Sequence, residues 1–375
     1  MVEIGHTTGT TILEYRNRIL LPVLILLATS CGRETTPGIL DLTNQGNGKE
    51  LGFNDICASQ MWIELEATDE AMIGDAKRVI EYDSNYYILD CFRQKRVLVF
   101  DKDGKFLRGI GTMGSGPGEY ADILDFTINT ADGKVAILCS PSTIFEYNQD
   151  GTFISSKKIS ESVIWEVTYA NGYYVCSTDH ATYTEGENAN LLYFFDSEWE
   201  EKGKGIKVLP TQMPRLEVFS GQLSSTGNQV LYMDVFSNRL YVITPPDISS
   251  LTTLDVKIAN PMPLETYADG MEFFDKQVDF DWIKDFVPSA EYGLISYVSH
   301  GKLNATVFTY EGEIITGGEY KGFFPVSYPA ADNSLLSPIN LDEYFGYWSK
   351  DGNAEGIPEL TPESNALLLK WKLKG

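Results

Sequence analysis

A chain of 375 residues is long enough for one large domain or two ordinary ones, and with 43% hydrophobic and 12% aromatic residues it has ample material for a core. Its 21 Tyr, 19 Phe and 33 Gly suit pleated strands and tight turns better than helices. The 29 basic residues stand against 53 acidic ones, and the formal charge of −24 speaks against nucleic acid as a partner and against broad attraction to anionic lipid, so membrane association calls for an anchor.

In chain order the first feature is an export signal. Arg16-Asn17-Arg18 precedes an apolar run, Ile19 to Leu27, and the small residues Ala28-Thr29-Ser30 precede Cys31. The run is about half the ~20 residues that a spanning helix needs, and no later stretch is apolar enough to span. Small residues before a cysteine resemble the bacterial lipobox, which implies Cys31 as the acylated first mature residue, although Ala28 stands where Leu is commoner. Residues 1–30 are thus expected as a signal peptide. Met1 to about Leu13 looks unlike the start of one, and translation is expected to begin near Leu13. Residues 31–50, rich in Gly, Thr and Asn, read as a flexible tether, and residues 51–375 as the folded domain.

Within that domain a pattern of short strands repeats. Tyr86 to Asp90 and Val97 to Phe100 form one unit, followed by Asp101-Lys102-Asp103-Gly104; Val135 to Leu138, Ile144 to Tyr147 and Asp150-Gly151 form the next. A third carries Tyr173 to Cys176 and Leu192 to Trp199, a fourth Val230 to Met233 and Leu240 to Ile243, and a fifth Leu294 to Val298, Ala305 to Tyr310 and Glu311-Gly312. The spacings Phe100–Tyr147, Tyr147–Phe195 and Phe195–Tyr241 are 47, 48 and 46 residues. Asp-Gly and Glu-Gly are expected to supply the positive φ of two-residue hairpins. Both parities of Val97-Leu98-Val99-Phe100 are apolar, as in strands covered on both faces. A period of 40 to 50 residues with about four strands per unit is the signature of a β-propeller. The fold class is therefore all-β: a six-bladed propeller of four-stranded antiparallel blades, the sixth combining 323–348 with Trp62 to Leu65 and Leu367 to Leu373 from the two chain ends.

The fourth and fifth units are separated by 67 residues, Tyr241 to Phe308, because of an insertion from about Leu264 to Pro288. There Leu264, Tyr267, Met271, Phe274 and Val278 recur at helical spacing, predicting an amphipathic helix that either covers the domain's flank or serves a partner. Cys57, Cys91, Cys139 and Cys176 are widely spaced, without a zinc-ribbon pair, and read as small apolar side chains. His180 and His300 are too few for a three-histidine site, and neither lies in a nucleophile motif.

The segment Phe100 to Leu107, with Gly111-Thr112-Met113-Gly114-Ser115-Gly116-Pro117-Gly118-Glu119-Tyr120, resembles the six-bladed β-propeller lipoproteins abundant in Bacteroides-type bacteria. Ile63 to Gly74 is similar to that family's opening strand, and Leu367 to Leu373 to its closing strand. The resemblance spans about residues 60–375, weakens in blades four to six, and implies an NHL- or TolB-like propeller on an exported lipoprotein of the outer membrane or cell surface. It transfers no catalytic residues.

Gly114, Gly116, Pro117, Gly118 and Glu119 are the candidate site loop, either ligand-facing or a fixed crossing between blades in which Glu119 bonds backbone amides. No Lys-Ser/Thr follows, so it is not a phosphate-binding P-loop. Asp101-Lys102-Asp103-Gly104 lacks the remaining ligands of a calcium loop. No catalytic residue, metal ligand or cofactor is assigned. The favoured expectation is a lipid-anchored, non-enzymatic binding or scaffold protein that offers one propeller face to a glycan, peptide or envelope protein. The alternative is a metal-assisted, lactonase- or lyase-like hydrolase with carboxylates such as Asp90, Asp125 and Asp234 gathered in the central channel.

Overall fold

The two parities of the strand at Asn85–Asp90 go to opposite neighbours. Tyr87 and Leu89 pack with Phe126, Val135 and Ile137, whereas Tyr86 and Ile88 pack with Ile63, Leu336 and Leu368. A strand with a sheet on either side has no face to give to polar residues, which is why its sequence runs apolar without alternation.

The computed structural model describes residues 38–45, 48–178, 190–208, 223–350 and 356–375. In chain order β1 (Gly38–Asp41), β2 (Glu50–Leu51), a helical turn α1 (Phe53–Ile56) and β3 (Cys57–Glu64) come first. Blade one is β4 (Ala76–Tyr82), β5 (Asn85–Asp90), β6 (Arg96–Asp101) and β7 (Phe106–Ile110). Blade two is β8 (Asp125–Ile128), β9 (Val135–Cys139), β10 (Thr143–Tyr147) and β11 (Phe153–Lys158). Blade three is β12 (Glu166–Ala170), β13 (Tyr173–Ser177), β14 (Asn190–Phe195) and β15 (Glu201–Lys207). Blade four is β16 (Leu223–Thr226), β17 (Gln229–Asp234), β18 (Arg239–Thr244) and β19 (Asp247–Lys257). Helices α2 (Leu264–Ala268) and α3 (Gly270–Lys276) lead into blade five: β20 (Trp282–Pro288), β21 (Tyr292–Ser299), β22 (Lys302–Thr309) and β23 (Ile314–Tyr320).

Blade six joins β24 (Tyr328–Pro329), β25 (Leu335–Ile339) and β26 (Leu367–Leu373) to β3, in the register Leu367↔Glu64, Leu368↔Ile63 and Leu369↔Trp62. The chain ends thus share one sheet and close the ring, and the six-bladed propeller of four-stranded antiparallel blades expected from the repeat is the fold. The first strands β4, β8, β12, β16, β20 and β24 touch in turn around the axis.

Two expectations are corrected. Part of the span expected as tether is strand: β1 adds in parallel to β19 (Gly38↔Leu254, Asp41↔Lys257) and β2 adds in parallel to β23 (Glu50↔Glu319, Leu51↔Tyr320). Both cover an outer blade edge that would otherwise present unpaired backbone groups, and Leu40, Leu42 and Leu51 are buried beneath the pairing. Second, Gly104, Gly151 and Gly312 have φ of +83°, +89° and +93°, but the two residues before each do not take positive φ. In these turns residue one bonds to residue five while the glycine amide returns to residue one, as Asp101 N–H to Lys105 O and Gly104 N–H to Asp101 O show. They are three-residue loops of a type I turn followed by a left-handed residue. Turns with two left-handed residues lie elsewhere, at Asp83-Ser84, Asn171-Gly172 and His300-Gly301.

The predicted long helix is also broken. The Asp269 carboxylate accepts the amides of Met271 and Glu272 (3.0 and 3.2 Å) and starts a new helix, α3. The break places Tyr267 and Phe273 in the core with Phe236 and Trp282, and leaves Met271, Phe274 and Val278 outside. From Trp282 the chain is already the first strand of blade five.

Candidate functional site

Antiparallel pairing within a blade puts the first-to-second and third-to-fourth connections at one end of the propeller, and the second-to-third and blade-to-blade connections at the other. The first end consists of tight turns; the second, the crossing end, carries the longer connections, including α2, α3 and residues 340–350. Among the described residues the exposed large apolar side chains divide cleanly. Ile39, Met61, Leu107, Ile154 and Ile315 sit on outer strands, whereas Phe92, Met113, Met271, Phe274, Val278 and Phe345 are all at the crossing end. Met271 and Phe92 are each 75% exposed.

Around the axis, polar residues of the inner strands are tied to one another. The Arg78 guanidinium of β4 holds Asp125 of β8 through Nε–Oδ1 (2.5 Å) and a terminal nitrogen–Oδ2 (2.8 Å), and Asp125 Oδ2 also accepts the Val167 amide of β12 at 2.9 Å. Glu166 of β12 stands 3.9 Å from the same guanidinium. Burial works against the Arg78 charge, but Asp125 and Glu166 outweigh it and the net pKa is raised. Lys77 donates to the Leu124 carbonyl and Tyr328 to the Lys77 carbonyl. Thr168 of β12 bonds Ser225 of β16 at 2.9 Å.

The three carboxylates considered for a channel cluster are not brought together. Asp90 ends β5 and accepts the amides of Gly74, Asp75, Phe92, Arg93 and Gln94 at 2.9–3.3 Å. Asp234 occupies the same place in blade four and accepts from Phe236 and Ser237. Both cap loops at the crossing end, and only Asp125 faces the axis, paired with Arg78. Among the described residues no three His, Cys, Asp or Glu side chains form a group able to hold a metal ion.

In the glycine-rich loop between β7 and β8 the Glu119 carboxylate accepts the Gly116 amide at 2.8 Å, and Glu119 N–H returns to the Gly116 carbonyl at 3.0 Å. A Cβ at Gly114 would stand 1.9 Å from Glu119 Oε2, and one at Gly118, where φ is +76°, 2.5 Å from the Phe153 ring. Tyr147 O–H bonds the Gly118 carbonyl at 2.7 Å. The glycines are therefore required by how the loop folds on Glu119 and on blade two; Gly114 and Pro117 are exposed. Cys31 and His180 lie outside the described residues. His300 sits in the β21–β22 turn beside Ser299, its amide bonded to Asp281. Cys57, Cys91, Cys139 and Cys176 are free thiols, and burial pushes the Cys91 thiol up to about 12.

A feature that sequence reasoning missed lies at the crossing end of blade six. Gly322, Phe323, Asp342, Glu343, Gly346 and Tyr347 line an open groove of about 520 Å³. A short helix α4 (Leu341–Glu343) runs into a π-helical turn, Tyr344–Trp348. The start is fixed by reciprocal bonds, Glu343 N–H to Asn340 Oδ1 (2.9 Å) and Asn340 N–H to Glu343 Oε2 (3.0 Å). The turn is held from behind by Trp348, buried edge-on against Phe53 and Trp62 (5.1 and 5.4 Å). Its extra residue per turn rotates Tyr347 toward Phe323. At Gly322, φ is +102° and a Cβ would lie 2.1 Å from the Tyr347 hydroxyl. Burial raises the Glu343 pKa to about 7, with the Asp75 and Asp342 charges adding to the rise and the Asn340 amide opposing it. The Asn340-x-x-Glu343 capping box was the legible signal.

Two solved structures share the fold. A candidate exported protein of Bacteroides fragilis is 15% identical, with a TM-score of 0.70 over 90% of this chain and 100% of that one. A member of the DUF4221 family from Bacteroides vulgatus is 12% identical, with a TM-score of 0.56 over 85% of this chain and 97% of that one. No curated protein sequence matches the chain. The family model described as a domain of unknown function, DUF4934, matches residues 37–370, and the chain belongs to that family.

Proposed function

We propose that this protein is a non-enzymatic binding or scaffold protein of the bacterial cell envelope, exported and anchored through a lipid on Cys31, which engages an envelope protein, peptide or glycan with the crossing end of its propeller. The observation that carries the reading is that Phe92, Met113, Met271, Phe274, Val278 and Phe345 are exposed at that one end, three of them, Met271, Phe274 and Val278, within one short stretch around α3, and that the same end carries the aromatic groove of blade six. Apolar side chains kept in water at one end of a folded ring mark a surface that is covered in use. The inner carboxylate Asp125, meanwhile, is occupied by Arg78 and a backbone amide. Likeness to a candidate exported protein supports an envelope location. With Gly38 already paired, only six residues separate Cys31 from β1, so a lipid there would hold the blade edge within about 25 Å of the bilayer.

The test has two arms. Radiolabelled palmitate should enter the wild-type protein and be absent from Cys31→Ala. In affinity capture from the native envelope, Met271→Asp/Phe274→Asp should lose the captured partner, whereas Lys102→Glu at the tight-turn end should retain it. Equal capture by all three proteins would overturn the assignment of the binding face, and measurable turnover on a lactone and ester panel would overturn the non-enzymatic reading.

A further inference from the structure

Among the described residues the lining of the blade-six groove consists of two aromatic rings, two carboxylates and two glycines, with no basic side chain. Phe323 and Tyr347 have ring centroids 6.3 Å apart, inclined by 42°, and form one wall. Asp342 is exposed, and Glu343, half-buried, uses only Oε2 for its bond to Asn340. Neither carboxylate has an ion-pair partner among the described residues, although Asp132, Asp196, Asp255, Glu200 and Glu319 elsewhere each hold a Lys or Arg. Apart from the Tyr347 hydroxyl, the side chains of the lining offer acceptors and π faces only.

That chemistry selects for charge. Ring faces attract a cation through their quadrupole, and adjacent carboxylates add Coulomb attraction and accept its N–H bonds. A sugar would need donors as well as acceptors, and an anion would meet two like charges. We propose that this groove binds a lysine side chain of a partner protein; the proposal rests on the crossing end being the binding face. The groups facing Glu343 are the Asp75 and Asp342 carboxylates and the Asn340 amide, with no base among them. A cation placed there displaces the Glu343 proton, so binding strengthens as pH rises through neutrality.

The experiment titrates the protein, at 150 mM salt, with Nα-acetyl-lysine methylamide, with its Nε-acetylated form, with tetramethylammonium and with glucose, following tyrosine fluorescence and heat. The lysine amide should bind saturably, and both the Nε-acetylated form and glucose at least ~10-fold more weakly. Asp342→Asn, a change at an exposed position, should weaken the lysine amide by ~3- to 10-fold. Affinity should rise severalfold from pH 6 to pH 8 in the wild type and stay flat in Glu343→Gln. Tetramethylammonium, which has no N–H to donate to the carboxylates, should bind more weakly than the lysine amide, and equal or tighter binding would overturn the lysine assignment. Uptake of glucose or the Nε-acetylated form equal to that of the lysine amide, undiminished binding by Asp342→Asn, or no saturable lysine binding would overturn the proposal. If the groove fails while Met271→Asp/Phe274→Asp still abolishes capture, the cation assignment falls and the binding face stands.

Discussion

Trp199 occupies the left-handed position (φ +59°) that Gly104, Gly151 and Gly312 fill in the corresponding turns. Asp196 N–H to Glu200 O and Trp199 N–H to Asp196 O reproduce the same loop. The backbone cost of a non-glycine residue there, about 1–2 kcal/mol, is offset by the indole. It stacks on Tyr174 at 3.8 Å and donates to Glu146 at 3.1 Å. Trp199→Gly should therefore lower stability by about 2 kcal/mol in urea denaturation rather than raise it, since a buried Trp is worth about 3–5 kcal/mol. Glu343 gives a second prediction at this scale. Its folded pKa of about 7 lies above its ordinary value of 4.5, so the folded state holds a proton that the unfolded state releases between those limits. Stability should fall as pH rises from about 4.5 to about 7 and then level off, and Glu343→Gln should remove that part of the slope. Urea midpoints of both proteins at pH 5 and pH 8 check it.

Among elements, β1 and β2 make the clearest contrast with β3. The first two cap the edges of blades four and five, while β3 is the fourth strand of blade six and pairs along seven residues of β26. Removing residues up to 48 should leave a monomeric ring at low concentration that aggregates on concentration, because the edge of blade four is freed. Removing residues up to 66 should abolish cooperative thermal unfolding. Strand existence was legible from Tyr86-Tyr87-Ile88-Leu89 and its counterparts, since strands covered on both faces must be apolar on both parities. The ends of the chain were legible as partners because a ring that lacks one strand needs one. β1 and β2 were not: Gly38-Ile39-Leu40-Asp41 is too short to show a period, and its pairing is decided by edges hundreds of residues away. The α2–α3 break escaped because Asp269-Gly270 caps a helix as readily as it interrupts one. Of the blade-six groove only the Asn340-x-x-Glu343 capping box was legible; its shape depends on a π-turn, which spacing rules based on 3.6 residues misplace.

In the whole molecule, the Arg78–Asp125 pair links three blades: β4 supplies the guanidinium, β8 the carboxylate, and β12 both the Val167 amide and Glu166. With exposures of 11% and 1% the pair is effectively inside, so deleting one partner strands the other's charge. Asp125→Ala should cost about 3–5 kcal/mol, while the double change Arg78→Met/Asp125→Leu should recover much of it. Guanidinium denaturation of the three proteins separates the outcomes. The pair ties the inner strands of three adjacent blades together.

The order in which this ring becomes whole follows from the placement of β3. Its residues emerge from the ribosome near the beginning, yet the backbone groups they satisfy belong to residues more than 300 positions later. Such long-range pairing forms late. Until Leu367–Leu373 has arrived, the leading segment has no sheet to join and the ring stays open. The last strand of the ring to be made is therefore the latch on the first.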